Sequence, residues 1–197
     1  MIAKLSQSVA QYLANNFEDS DEEVLAYGLE LIFQEILAFI ALFTVAAFLG
    51  VADLMLFSVL AYTTVRGNAN GAHASTRSIC LSTYVMFMFA SIGISIWAKG
   101  FLTPFFWAGI ACNTIVLLLY APGDTQEKPI FGSRLRLRCK MVGLFGMWIS
   151  FGCAYWMSQG YPTRANVLML SSTVACFMVT PIAYKLYGCQ RYVEVES

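Results

Sequence analysis

The apolar positions of this chain gather into long runs separated by short polar breaks, and the runs are of membrane length. A helix needs about 20 apolar residues to cross the hydrocarbon of a bilayer. Six stretches approach or reach that length: residues 29–49, 51–65, 79–98, 101–120, 141–158 and 165–187. The first carries Glu30, Gln34 and Glu35 near its start. The fourth has Pro104 in its first turn, where proline is tolerated, and the sixth has Pro181 near its end. The second is short. Its fifteen residues rise roughly 22 Å at about 1.5 Å each, against a hydrocarbon core of roughly 30 Å. Either it borrows Phe48 and Leu49, or the bilayer thins there.

A different pattern precedes the first run. Ile2, Leu5, Val9, Tyr12, Leu13 and Asn16 recur at three-or-four spacing, apolar except for the last. The residues between them are small or polar. This predicts an amphipathic helix over 1–17 lying in the membrane interface. Its polar face carries little positive charge. The acidic cluster Glu18, Asp19, Asp21, Glu22 and Glu23 then reads as a solvated connector.

Composition agrees with the pattern. Of the 197 residues, 58% are hydrophobic and 12% charged, where a soluble domain carries about 25% charged residues. One core of this size could not hide so much apolar surface, whereas lipid covers it without cost. The expected fold is an all-α integral membrane protein, one membrane domain over 1–197, with six transmembrane helices and the N-terminal interfacial helix. The net charge is zero, so no nucleic-acid partner is implied. The six cysteines form no CxxC pair and there is a single histidine, so neither a disulfide framework nor a metal site is expected. The N-terminus lacks an apolar stretch ending in a small-residue cleavage site, and no removable signal peptide is expected.

Charge sets the orientation. Basic residues concentrate in cytoplasmic loops. The 121–140 loop holds Lys128, Arg134, Arg136, Arg138 and Lys140. With that loop inside, the 66–78 loop (Arg66, Arg77) and both termini (Lys4, Lys185, Arg191) are inside too, and only Lys99 and Arg164 are outside. Ten basic residues against two predict a cell-membrane protein with both termini cytoplasmic.

The unusual stretch lies between the second and third runs: Arg66-Gly-Asn-Ala-Asn-Gly-Ala-His-Ala-Ser-Thr-Arg-Ser-Ile-Cys80. So polar a segment must meet water or a protein-lined cavity. It holds the only histidine, His73, and Cys80 opens the next run. A thiol and an imidazole suffice for nucleophilic catalysis: the ring takes the proton and the thiolate attacks a carbonyl. Residues seven apart on one straight helix are separated by roughly 10.5 Å along its axis. The pair therefore needs a loop that folds back or a broken helix, and Gly71 makes the fold-back plausible. The plainer reading is also open, in which the cysteine is a small buried hydrophobe and the histidine a polar anchor.

Glu35, beside Gln34, is the second candidate. It lies a turn or two inside the inner surface, at a depth similar to Cys80. It either orients the imidazole, as the third member of a triad does, or sits protonated or hydrogen-bonded between helices. Arg66 and Asn70 are nearby candidate donors for an oxyanion. The basic residues Arg134, Arg136, Arg138 and Lys140 either serve orientation alone or also bind an acidic substrate segment.

These residues together resemble the accessory gene regulator B (AgrB) family of membrane peptidases from Gram-positive quorum sensing. The resemblance rests on Arg66, Gly71-Ala72-His73-Ala74 and Cys80 at the family's His–Cys spacing. It rests also on Ala121-Pro122-Gly123-Asp124-Thr125-Gln126-Glu127-Lys128-Pro129, and on the overall plan of about 200 residues with six spans. The resemblance implies a cysteine endopeptidase without a cofactor. Its substrate would be an AgrD-type propeptide, cut near its C-terminal side through an acyl-thioester on Cys80, with His73 as base. A residue inside the peptide would then close a thiolactone or lactone ring. The resemblance also implies a homodimer in the lipid bilayer, an active site on the cytoplasmic side, and an acidic substrate tail docking on the basic 134–140 segment. The competing class is a membrane transporter or export channel for a peptide or amphiphile, with Glu30, Glu35 and Asn113 lining a path.

Overall fold

The computed structural model describes residues 2–16, 21–74, 76–99, 103–125 and 129–191. Glu18 and Asp19 of the acidic cluster, Phe101 and Leu102 of the fourth run, and Gln126, Glu127 and Lys128 lie outside the described residues. Among the described residues the elements are eight α-helices: α1 (Ile2–Asn16), α2 (Glu22–Phe48), α3 (Ala52–Ala69), α4 (Arg77–Trp97), α5 (Phe106–Tyr120), α6 (Ser133–Met157), α7 (Pro162–Phe177) and α8 (Pro181–Tyr187). One turn of 3-10 helix over Thr103–Phe105 leads into α5. No strand occurs among the described residues, only two isolated bridges.

The chain divides into two compact units, Met1–Ala52 and Asp53–Ser197. In the first, α1 packs against α2. On α1 the small residues Ser6 and Ala10, one turn apart, are buried, while Leu5 and Tyr12 are exposed. Asp21 caps α2 by accepting from the Glu23 amide at 3.0 Å. Glu22 and Glu23 fall in the first turn of α2, where negative charge suits the helix dipole. These two residues are therefore helical rather than part of a connector.

In the second unit, α4, α5 and α6 each pack on α7. Buried polar side chains tie the helices together. The Ser58 and Ser171 hydroxyls meet at 2.7 Å, and Asn113 donates to Thr173 at 2.8 Å. Helix α6 lies against α3 at two glycines. A Cβ on Gly146 would stand 2.8 Å from Thr64 Cγ2, and one on Gly143 3.0 Å from Ala69 Cβ. Small residues at such positions let two backbones approach closely.

Three boundaries differ from the sequence expectation. The second run does not borrow from its N-terminal side: α3 continues through Arg66 to Ala69. The Arg66 side chain reaches forward to cover carbonyls beyond the helix end, where its positive charge suits the helix dipole. The basic segment is not a loop, because α6 starts at Ser133 and contains Arg134, Arg136, Arg138 and Lys140. The sixth run is broken, with α8 turning 76° from α7. Thr180 is extended and accepts from the Ala183 amide, and Pro181 has no amide proton to continue α7.

Helices α2 and α4 are long and apolar enough to cross a membrane, the bent pair α7–α8 passes as a third, and α5 is apolar but shorter. Ile32, Ile36, Leu37 and Ile40 on α2 are exposed, as are Ile149 and Trp156 on α6. Such outward apolar surface suits lipid rather than water.

Candidate functional site

The site is built on the turn that ends α3. The Asn70 amide donates to the Arg66 carbonyl at 3.0 Å, continuing the helical pattern by one residue. Asn70 then takes φ +55° and Gly71 φ +131°. Asparagine tolerates the left-handed region, and glycine tolerates both. Gly71 is also forced by crowding, because a Cβ there would fall on the Arg66 guanidinium and 2.5 Å from the Met178 carbonyl oxygen.

Three distant parts of the chain hold this turn. From α3 itself, the Arg66 guanidinium donates to the carbonyls of Asn70 and Ala72, on either side of Gly71. From the α7–α8 break, the Met178 carbonyl accepts from the Ala72 amide at 2.8 Å. From the loop after α5, the Gly123 amide donates to the Ala69 carbonyl at 2.8 Å, and Gly123 and Asn70 form a parallel bridge. A Cβ on Gly123 would stand 2.7 Å from Gly71 Cα, so the two loops meet backbone to backbone.

His73 follows two residues after Gly71 and is exposed. Thr76 is the extended N-cap of α4, and Cys80 is half-buried in the first turn of that helix. His73 is thus on a non-helical segment and Cys80 on the helix after it, so the stretch is not one straight helix. Tyr62, one turn before Arg66 on α3, is buried. Its hydroxyl pairs with the Arg66 side chain. Its ring meets Tyr84 of α4 edge-on, with centroids 5.2 Å apart.

A second layer supports the 121–125 loop. The Asp124 side chain is fully buried, and its Oδ2 pairs with Arg136 Nη1 at 2.6 Å. Its other oxygen has no hydrogen-bond partner. Tyr184 of α8 donates to the Asp124 carbonyl at 2.9 Å. Arg191 donates to the carbonyls of Tyr120 and Pro122, and bridges to Thr125.

The structure thus brings Arg66 and Asn70 together in one turn and commits Arg66 to backbone carbonyls, with Cys80 at the start of the next helix. Gln34 and Glu35 lie on α2 in the other unit, where Gln34 donates to Glu30 at 3.0 Å. The four basic residues of α6 separate into two kinds. Arg136 is taken up by Asp124 and the Ile130 carbonyl, and Lys140 donates to the Leu118 carbonyl at 2.8 Å. Arg134 and Arg138, one turn apart, are exposed. Asn113, a candidate for a transport path, is buried and joined to Thr173. Sequence reasoning did not single out Tyr62 or Tyr184, and gave Asp124 no role. The i, i+4 spacing of Tyr62 and Arg66 was the one local signal available.

An all-helical chain with apolar, outward-facing helices of spanning length is a membrane protein. The family model for accessory gene regulator B matches residues 6–180, and the chain belongs to that family. An AgrB-like protein of Clostridium acetobutylicum is 27% identical over 100% of this chain and 94% of its own length. An AgrB-like protein of Listeria innocua is 25% identical over 98% and 95% of the two chains. One from Clostridium perfringens is 24% identical over 73% and 71%. No solved structure matches the chain. Membership supports a role in the agr quorum-sensing system and implies association with an AgrD propeptide.

Proposed function

We propose that this protein is a membrane cysteine endopeptidase that cleaves the C-terminal part of an AgrD-type propeptide and promotes its cyclisation. His73 takes the Cys80 proton, and the thiolate adds to the scissile carbonyl. The C–N bond breaks, the imidazolium returns its proton to the departing amine, and an acyl-thioester remains on Cys80. A thiol or hydroxyl within the peptide then attacks that carbonyl, closes a thiolactone or lactone and releases Cys80. A thiol attack exchanges one thioester for another, so no nucleotide is consumed.

The observation that carries this reading is the pinning of residues 69–72 from three sides immediately before His73. Catalytic groups must be held close to productive geometry, and a rigid support does so at no cost during the reaction. The same reading has six spans, both termini and the site cytoplasmic, and two copies of the chain per assembly. It also assigns the basic start of α6, chiefly the exposed Arg134 and Arg138, to an acidic substrate segment.

The test uses Cys80→Ala and His73→Ala in membranes together with a co-expressed AgrD-type propeptide. Both variants should insert normally and leave the propeptide uncut, and the parent chain should yield a Cys80-linked acyl adduct. Cleavage persisting in Cys80→Ala would remove the peptidase reading.

A further inference from the structure

The peptide unit between Pro122 and Gly123 is held at both of its polar ends. Its carbonyl accepts from Arg191 Nη2 at 3.3 Å, and its amide donates to the Ala69 carbonyl at 2.8 Å. The same arginine nitrogen reaches the Tyr120 carbonyl at 2.7 Å. Tyr120 is the last residue of α5, where carbonyls lack helical partners and a positive charge suits the helix dipole. Arg191 arrives there because the chain turns back after α8. Gly188 is left-handed at φ +64°, the Cys189 amide donates to the Tyr184 carbonyl at 3.1 Å, and Arg191 bridges antiparallel to Thr125. A basic residue that served orientation alone would be solvated. Arg191 is instead half-buried, and one of its nitrogens serves two carbonyls.

Resting on the peptidase reading of Cys80 and His73, we propose that Arg191 is a positioning residue for that site, acting through the 122–123 peptide on the turn before His73. Resonance keeps a peptide unit flat, so fixing the direction of its carbonyl also fixes the direction of its amide. The amide so aimed takes the carbonyl of Ala69, the last residue of α3, just before the left-handed Asn70. A guanidinium on the carbonyl oxygen also polarises the unit and strengthens its N–H as a donor. Packing transmits any rotation of this peptide, because a Cβ on Gly123 would stand 2.7 Å from Gly71 Cα. His73 comes two residues after Gly71. Arg191 thus works through the backbone rather than at the reacting atoms, by keeping the support of the imidazole in one place. Displacing a catalytic group by about 1 Å costs on the order of 100-fold in rate. A bidentate fork would demand arginine, but one nitrogen makes both contacts here, so a lysine ammonium with its three donors can replace it.

The experiment uses the full-length protein in proteoliposomes with a synthetic AgrD-type propeptide. It compares Arg191→Met, which keeps the bulk and loses the donors, with Arg191→Lys. Hydrogen exchange over 119–125, read by mass spectrometry, reports the Gly123 amide without reference to catalysis. In Arg191→Met that amide should exchange at least about 10-fold faster. Processing by the same variant should show kcat at least about 10-fold lower and KM within about twofold of the parent, the pattern of lost placement rather than lost substrate binding. Arg191→Lys should stay within about threefold of the parent in exchange and in kcat. An unchanged Gly123 amide in Arg191→Met would overturn the proposal, and so would a faster amide with kcat intact or a loss confined to KM. Arg191→Lys as impaired as Arg191→Met would overturn it too. A Cys80→Ala chain that still cleaves the propeptide would instead overturn the peptidase reading beneath it, and the exchange result would stand.

Discussion

The pair Asp124–Arg136 gives the sharpest stability prediction, because its two ends sit in different surroundings. The Asp124 side chain is 0% exposed and the Arg136 side chain 27% exposed, with 2.6 Å between Oδ2 and Nη1. Arg136→Gln leaves a carboxylate sealed in the fold with neither oxygen matched to a cation. Breaking a buried pair in this way costs about 3–5 kcal/mol. Asp124→Asn leaves instead an arginine that can turn its head toward water, at about 1–2 kcal/mol, a charged hydrogen bond discounted for the solvent that screens its exposed partner. At about 2–4 °C per kcal/mol for a chain of this size, the unfolding midpoint should drop by about 6–20 °C for Arg136→Gln and by less than half of that for Asp124→Asn. The double variant should be more stable than Arg136→Gln alone, because no charge is then left without its partner. The assay is thermal unfolding in detergent, followed by circular dichroism. Equal shifts for the two single variants, or a harmless Arg136→Gln, would refute the argument from unequal burial.

Gly71→Ala should reduce propeptide processing at least 10-fold with the protein still in the membrane, because its Cβ would displace the Arg66 guanidinium and the residue sits at φ +131°; cleavage on immunoblots reads this, and full activity would contradict the clamp. Reversing Arg134 and Arg138 to Glu should weaken processing by raising KM with little change in unfolding midpoint, the opposite pattern to Arg136→Gln; kinetics at two salt concentrations check it. Asp53→Asn should change the midpoint by less than about 1 kcal/mol equivalent, since both side chains of its pair with Arg164 meet solvent; a larger drop would show that the exposed pair matters more than its setting allows. Gly146→Leu should lower stability by about 1–3 kcal/mol through overpacking against Thr64, measured by the same unfolding assay.

Much of the architecture was legible in the spacing of apolar residues, because a bilayer imposes one length and one rule of backbone satisfaction on any helix within it. Runs 29–49 and 79–98 correspond to α2 and α4 for that reason. Arg66, His73 and Cys80 were legible because polar residues between apolar runs are few, and each one stands out. Helix ends were less legible. Whether Arg66 ended a helix or began a loop depended on carbonyls four and six residues away, and whether Arg134 lay in a loop depended on the turn at Gly132.

Residue order alone determined that this is a helical membrane chain with one imidazole and one nearby thiol in a polar gap. Only the tertiary structure decided what surrounds them. Gly123 lies 52 positions from Gly71 in the chain and Met178 lies 107 away, yet both meet the turn before His73. The seating of Tyr184 on the Asp124 carbonyl depends on a 76° bend that apolar periodicity does not record. Local pattern reports which face of a helix avoids water. It carries no information about which distant backbone will take up a particular carbonyl or amide, and that choice arises only when the helices pack.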